Sequence, residues 1–195
     1  MKPVIIYIHG FRSDKGSFKI QKIQELLPDY EILAENFSAN PQTVLEQLND
    51  ICSKVEKQNN KHFMGSSLGG FYAMYMATKL DCKSFCINPS LRSHSTLQDQ
   101  VGTFQTFNLG LHYHFKLEYL DLLETMHQEL FEILKKGENK YRPQVIFNED
   151  DKVIPHTLFD EFKPYFDLKY YPSGGHQATN IQEIVEGFEI AEWEM

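Results

Sequence analysis

Short apolar runs alternate with amphipathic stretches along most of the chain. Residues 3–8 hold the β-branched run Val4-Ile5-Ile6-Tyr7-Ile8, closed by His9-Gly10. Continuous hydrophobicity of that length suits a parallel strand buried on both faces. After a loop, Ser17 is placed to cap a helix to about residue 27, with Ile20, Ile23 and Leu27 on one face and Pro28 behind them. Residues 30–34 read as a second strand. Asn40-Pro41 joins an N-cap to a proline at the first helical position. Val44, Leu48, Ile51 and Val55 then recur at helical spacing up to a polar break at 57–61. Residues 62–64 end a third strand. Phe71, Met74, Tyr75 and Thr78 carry a helix to residue 80, and 83–87 is a fourth strand stopped by Asn88-Pro89.

The rhythm changes between residues 90 and 141. Residues 93–110 are polar with scattered aromatics. Residues 116–136 form a long amphipathic helix, with Tyr119, Leu123, Met126, Leu130 and Ile133 on one side and Asp121, Glu124, Gln128, Glu132 and Lys135 opposite. Gly137 suits its C-cap. Alternation resumes with a strand at 143–147, a helix at 155–163 and a strand at 167–171. In the last helix Asn180 caps, Glu183 takes the capping-box position, and Ile181, Ile184, Val185 and Phe188 point inward.

Six strands alternating with helices predict a three-layer α/β/α sandwich on a mostly parallel sheet, in the order 2-1-3-4-5-6. Ligands of such sheets sit beyond the carboxyl ends of the strands, near the switch in strand order. Four segments each follow a strand: His9-Gly10-Phe11, Met64 to Gly70, Glu149-Asp150-Asp151 and Gly174-Gly175-His176. The topology therefore brings them to one edge.

Bulk properties narrow the classes. The 195 residues suffice for one domain spanning 1–195, and 42% hydrophobic with 24% charged residues is ordinary for a globular protein. A formal net charge of −8 argues against nucleic acid or an anionic membrane as partner. Cys52, Cys82 and Cys86 are odd in number and lie in apolar contexts, as reduced core thiols of a cytoplasmic protein do. A strand-like run begins almost at once, so no signal peptide is expected, and no apolar run reaches membrane-spanning length. His112 and His114 lack a third ligand at suitable spacing, so no metal site is expected.

Gly65-Ser66-Ser67-Leu68-Gly69 is a G-x-S-x-G, a nucleophile elbow when a strand enters it and a helix leaves it. The frame selects Ser67, which has glycine at −2 and +2; Ser66 has Met64 and Leu68 there. A glycine-rich turn without chemistry is the plainer alternative. A serine nucleophile needs a base, and the base needs a carboxylate to fix its tautomer. The required chain order, serine then acid then histidine, is met by Ser67, the acidic cluster after the fifth strand and His176.

With these residues the chain resembles the α/β-hydrolases. Members often carry D-x-V-[VI]-P after the penultimate strand and a glycine-preceded histidine after the last. Asp151-Lys152-Val153-Ile154-Pro155 fits that frame, which favours Asp151 over Asp150 and leaves Asp150 and Glu149 as a solvated turn. His9-Gly10-Phe11 resembles the H-G-x motif after the first conserved strand, implying an oxyanion hole from the amides of Phe11 and Leu68. The two N-terminal antiparallel strands of larger members are missing. That compactness, with Asn88-Pro89-Ser90-Leu91-Arg92 behind the elbow, is similar to the small bacterial esterases of the YqiA/YcfP-like group.

The resemblance implies a compact α/β-hydrolase domain with a helical cap insertion at about 90–141. It implies an esterase acting on small-molecule acyl esters or thioesters through Ser67, Asp151 and His176, with water and no cofactor. An acyl-CoA thioesterase or acyltransferase would share the triad. A non-catalytic binding module on the same fold is the alternative of another class. The oligomeric state stays open. His9 reads as orienting its loop, and His62, His94 and His127 read as surface or packing residues. His156 reads as capping the helix that follows it. The aromatics around Phe104, Tyr113 and Phe115 read as packing, in a segment where the fold places a cap.

Overall fold

The computed structural model describes residues 2–55, 60–154 and 156–187. The chain begins β1 (Val4–Ile8), α1 (Phe18–Leu26), β2 (Glu31–Ala34), α2 (Pro41–Lys54) and β3 (Lys61–Ser66). It continues through α3 (Leu68–Leu80), β4 (Ser84–Ile87), α4 (Ser93–Thr96), β5 (Gly102–Gln105), β6 (His112–Phe115) and α5 (Glu118–Lys136). It closes with β7 (Gln144–Asn148), a 3-10 segment His156–Tyr165, β8 (Asp167–Tyr171) and α6 (Ile181–Gly187). Residues 57–59 of the expected polar break, Pro155, the side chain of His156 and Phe188 lie outside the described residues.

Six strands pair in parallel in the order β2-β1-β3-β4-β7-β8. Without the hairpin β5-β6, this is the 2-1-3-4-5-6 order read from the alternation. Order reverses between β1 and β3, where Ile8 pairs with Gly65. Both strands therefore end at one level, and His9 and Ser67 emerge side by side.

The uninterrupted apolar runs are explained by burial on two faces. Ile6 and Ile8, Phe63, Cys86, Val145 and Phe147 pack on one side with α2, α3 and α5. Ile5, Tyr7, Met64, Phe85, Ile87 and Ile146 pack on the other with Ile20 and Ile23 of α1 and Ile181, Ile184 and Val185 of α6. Helix α3 is buried all round from Leu68 to Thr78. The thiol of Cys86 is buried, and Cys52 and Cys82 are half-buried; all three are free. Among the described residues no helix is long and apolar enough to cross a membrane.

The insertion differs from the sequence reading in two ways. Residues 102–115 form an antiparallel hairpin in which Tyr113 and Phe115 are buried while His112 and His114 are exposed. That strict alternation is a strand signal, masked by the polar residues around it. Helix α5 lines no part of the site: it packs on α2 and α3 of the sheet's helical layer and on the short α4. Its buried stripe is Leu120, Leu123, Met126, Leu130, Phe131 and Leu134, rotated from the expected one. Gly137 ends it at φ 66°, as a left-handed C-cap. The helix expected at 155–163 is a 3-10 segment, kinked at Phe159 and containing Pro164.

Candidate active site

Ser67 joins β3 to α3 at φ 56° and ψ −126°, a backbone conformation that L-residues rarely adopt. The flanking glycines make the turn possible. A Cβ on Gly65 would lie 2.3 Å from the Gly69 carbonyl oxygen, and one on Gly69 would lie 2.1 Å from that of Ile8 and 2.4 Å from that of His9. All three neighbours are backbone and cannot swing aside. Gly69→Ala is therefore expected to destabilise the protein by about 3 kcal/mol or more, or to prevent folding. Urea denaturation of the purified variant checks this, and a midpoint equal to wild type would refute the crowding argument. Ser66 is buried and its hydroxyl faces that of Tyr7 at 3.3 Å, so it belongs to the core.

His176 Nε2 lies 3.0 Å from Ser67 Oγ, and His176 Nδ1 lies 2.8 Å from Asp151 Oδ2. A carboxylate only accepts, so Nδ1 carries the proton and the Nε2 lone pair faces the serine hydroxyl. Asp151 is 5% exposed. Its Oδ1 accepts the amides of Val153 at 2.8 Å and Ile154 at 2.9 Å, which locks the carboxylate rotamer.

The turn before His176 has its own scaffold, which the sequence reading missed. Gly174 and Gly175 both have positive φ, 134° and 58°. The Asp150 carboxylate accepts the Gly175 amide at 2.7 Å and the Gly174 amide at 3.3 Å. Asp150 is exposed, yet it is not the merely solvated turn residue expected; Glu149 is exposed. The Gly175 carbonyl accepts from Asn88 Nδ2 at 3.0 Å and Asn148 Nδ2 at 2.9 Å. Asn88 Oδ1 in turn accepts the Asn148 amide at 2.8 Å, and the side chains of Asn148 and Asn180 exchange two bonds. Asn180, expected as a cap, spends its side chain on this network. An asparagine closing each of two neighbouring strands was the available signal.

The Gly10-Phe11 turn presses on the nucleophile: a Cβ on Gly10 would meet Ser67 Cβ at 3.2 Å. Leu68 opens α3. Phe11 and Leu68 line a cavity of about 550 Å³ with Ser67 and His176. His9 holds this loop. Its Nε2 accepts the Phe37 amide at 3.0 Å, so Nδ1 carries the proton and donates to the Gly10 carbonyl at 3.0 Å. Burial lowers the His9 pKa and keeps the ring neutral.

Segment 90–108 closes one side of the cavity with Ser90, Thr96, Leu97, Gln100, Phe107 and Asn108. The hairpin is pinned to the site through Phe11, whose ring meets those of Tyr113 and Phe115 edge-on at 5.3 Å each. Asp14 completes the clamp by accepting the amides of Asn108 and Leu109 at 3.1 and 2.9 Å. Burial opposes its charge, but these amides, that of Gly16 and the Thr106 hydroxyl outweigh it and bring the carboxyl down to about 2.

The remaining histidines lie elsewhere. His94 and His127 pack together at 5.1 Å, and His127 Nδ1 donates to the Leu91 carbonyl at 2.7 Å. His114 Nδ1 pairs with Thr103 Oγ1 at 2.9 Å. Among the described residues no three His, Cys, Asp or Glu side chains gather as a metal would need.

The profile of the uncharacterised protein family UPF0227 matches residues 4–188. Among solved structures, Est1E from Butyrivibrio proteoclasticus is 15% identical, with a TM-score of 0.71 over 99% of this chain and 88% of that one. The metagenome-derived lipolytic enzymes LipS and LipT give 14% identity and a TM-score of 0.77 over 99% and 94%. The esterase domain of a Rhodothermus marinus protein gives 13% and 0.71 over 100% and 88%. At such identities the likeness establishes the α/β-hydrolase fold.

Proposed function

The chain belongs to the UPF0227 family, and we propose that it is a serine hydrolase of carboxylic esters, thioesters included, working in the cytoplasm on small-molecule substrates. The observation that carries the reading is the continuous relay from Asp151 through His176 to the Ser67 hydroxyl. Folding geometry alone does not require a histidine lone pair on a serine at the tip of a strained turn beside a cavity.

In this reading Ser67 Oγ attacks the acyl carbonyl carbon as His176 Nε2 takes the hydroxyl proton. Asp151 stabilises the imidazolium and holds its tautomer. The carbonyl electron pair moves to the oxygen, which the amides of Phe11 and Leu68 would receive; each such donor contributes several kcal/mol of transition-state stabilisation. Collapse expels the alcohol or thiol, protonated by His176, and leaves an acyl-Ser67 ester. Water, deprotonated by His176, then releases the acid. The cycle consumes one water and needs no cofactor.

A fluorophosphonate probe is expected to label Ser67 stoichiometrically. A p-nitrophenyl ester series from acetate to palmitate, run beside acyl-CoA, should show turnover and define the acyl length. A folded protein that neither labels nor cleaves any member would be a binding module.

A further inference from the structure

The cavity holds a cation that the relay does not use. Lys19 lies in the first turn of α1, behind its N-cap Ser17, and lines the cavity with Ser13, Ser17 and Gln177. Its side chain is long and flexible, yet the residue is only 7% exposed. The ammonium donates to the Gln177 carbonyl oxygen at 3.0 Å and reaches the Gln177 side-chain oxygen at 3.5 Å. It also lies 5.2 Å from the centre of the Phe18 ring. No carboxylate among the described residues stands within ion-pair reach of it. Asp14, the nearest acid in sequence, is committed to amides of its own loop and of the hairpin.

A buried ammonium without a counter-charge is costly, and the protein would relieve that cost more cheaply with a neutral side chain. Burial already draws its pKa down to about 8. Two neutral oxygens of one residue leave it with donor capacity to spare. The amides of the N-terminal turn of α1 add positive potential at the same wall. An anion brought by the substrate would supply the missing charge.

The position also bears on which half of the substrate would carry it. Nζ is tethered to the carbonyl of the residue after His176. Nζ therefore stands beside the wall that carries His176, the group that delivers its proton to the departing oxygen in the hydrolase reading. We propose that the cavity takes esters whose leaving group bears an anion, a carboxylate or a phosphate, and that Lys19 Nζ binds that anion. This rests on the hydrolase reading.

The test compares kcat/KM for 3-butanoyloxybenzoate, 3-butanoyloxyphenyl phosphate and the neutral 3-butanoyloxybenzamide, each scaled to its hydroxide-catalysed rate. A fourth arm sets the p-nitrophenyl monoester of glutarate against p-nitrophenyl pentanoate. Wild type should favour an anionic leaving group by roughly tenfold or more, about what one charge-assisted hydrogen bond supplies. The carboxylate and phosphate arms tell the two anions apart. In Lys19→Met the ratio should fall to near one, mainly through KM, while Lys19→Arg keeps it. Using the ratio within each protein cancels any loss from the slackened Gln177 tether. A wild-type ratio near one, a preference confined to the acyl-side anion, or an unchanged ratio in folded Lys19→Met would each overturn the proposal. The wild-type ratio decides alone if Lys19→Met does not fold. Cleavage of neutral esters without anion preference removes only the role of Lys19. Absence of both cleavage and Ser67 labelling removes the hydrolase reading, and the proposal with it.

Discussion

Ser67→Ala is expected to lower kcat for ester hydrolysis by about 10⁴- to 10⁶-fold, the range for losing the nucleophile of a triad that works as a unit. His176→Ala should cost as much, and the double variant no more than either single one. Non-additivity follows from the geometry: the imidazole that accepts at 3.0 Å from Ser67 Oγ has no work once the hydroxyl is gone. Ser67→Ala removes one partly buried oxygen and relaxes nothing else, so its unfolding midpoint should stay near wild type. The strained φ of 56° persists in alanine, which shares the steric limits of serine. Ser66→Ala is the matching control for the frame, since its hydroxyl faces Tyr7. Steady-state rates with a p-nitrophenyl ester, beside fluorophosphonate labelling, check all four variants. Loss of activity in Ser66→Ala with retention in Ser67→Ala would shift the nucleophile by one residue.

The second large effect separates two adjacent acids. Asp151→Asn should cut kcat by about 10⁴-fold, because its amide cannot hold the His176 proton on Nδ1 and the ring would present the wrong tautomer to Ser67. Its Oδ1 could still accept the amides of Val153 and Ile154, so the loop should survive. The loss should therefore appear in turnover and hardly in stability.

Asp150→Asn acts through the backbone instead. An asparagine oxygen can keep the 2.7 Å bond from the Gly175 amide, and the weaker 3.3 Å bond from Gly174 is forfeited. His176 would then sit on a slacker turn, and the loss should stay within about tenfold. Near-silence, the outcome for a purely solvated residue, is thus replaced by a small positional loss. A pH–rate profile discriminates the two mechanisms. Asp151→Asn alters the ionisation that governs kcat/KM, whereas Asp150→Asn lowers the curve and leaves its shape. Should Asp150→Asn abolish turnover while folded Asp151→Asn spares it, the acid lies one position earlier.

Much of this molecule is decided by local sequence. Buried parallel strands need unbroken apolar runs, so β1 and β4 declare themselves. The helix caps Ser17 and Asn40 work through atoms two residues away, and both accept the expected amides. The elbow frame is equally local, since Gly65 and Gly69 are demanded by clashes with backbone within or beside the same turn. Right-handed crossovers then fix the strand order and bring residues 67, 151 and 176 to one edge.

Tertiary structure alone decided the rest, because the deciding partners are distant in sequence. Asp150 looks like a free turn residue until Gly174 and Gly175 are folded against it. Asn88, Asn148 and Asn180 look like strand stops and a cap until they converge near Gly175. The hairpin 102–115 takes its strand form by burying Tyr113 and Phe115 around Phe11, a loop residue some hundred positions earlier. Helix α5 has a stripe apolar enough for a cap or a layer, and its docking on α2 and α3 settled which. The exposure of Lys19 is likewise invisible in its neighbours: a lysine in a first helical turn is ordinarily solvated, and only the return of residue 177 from the far end of the chain encloses it.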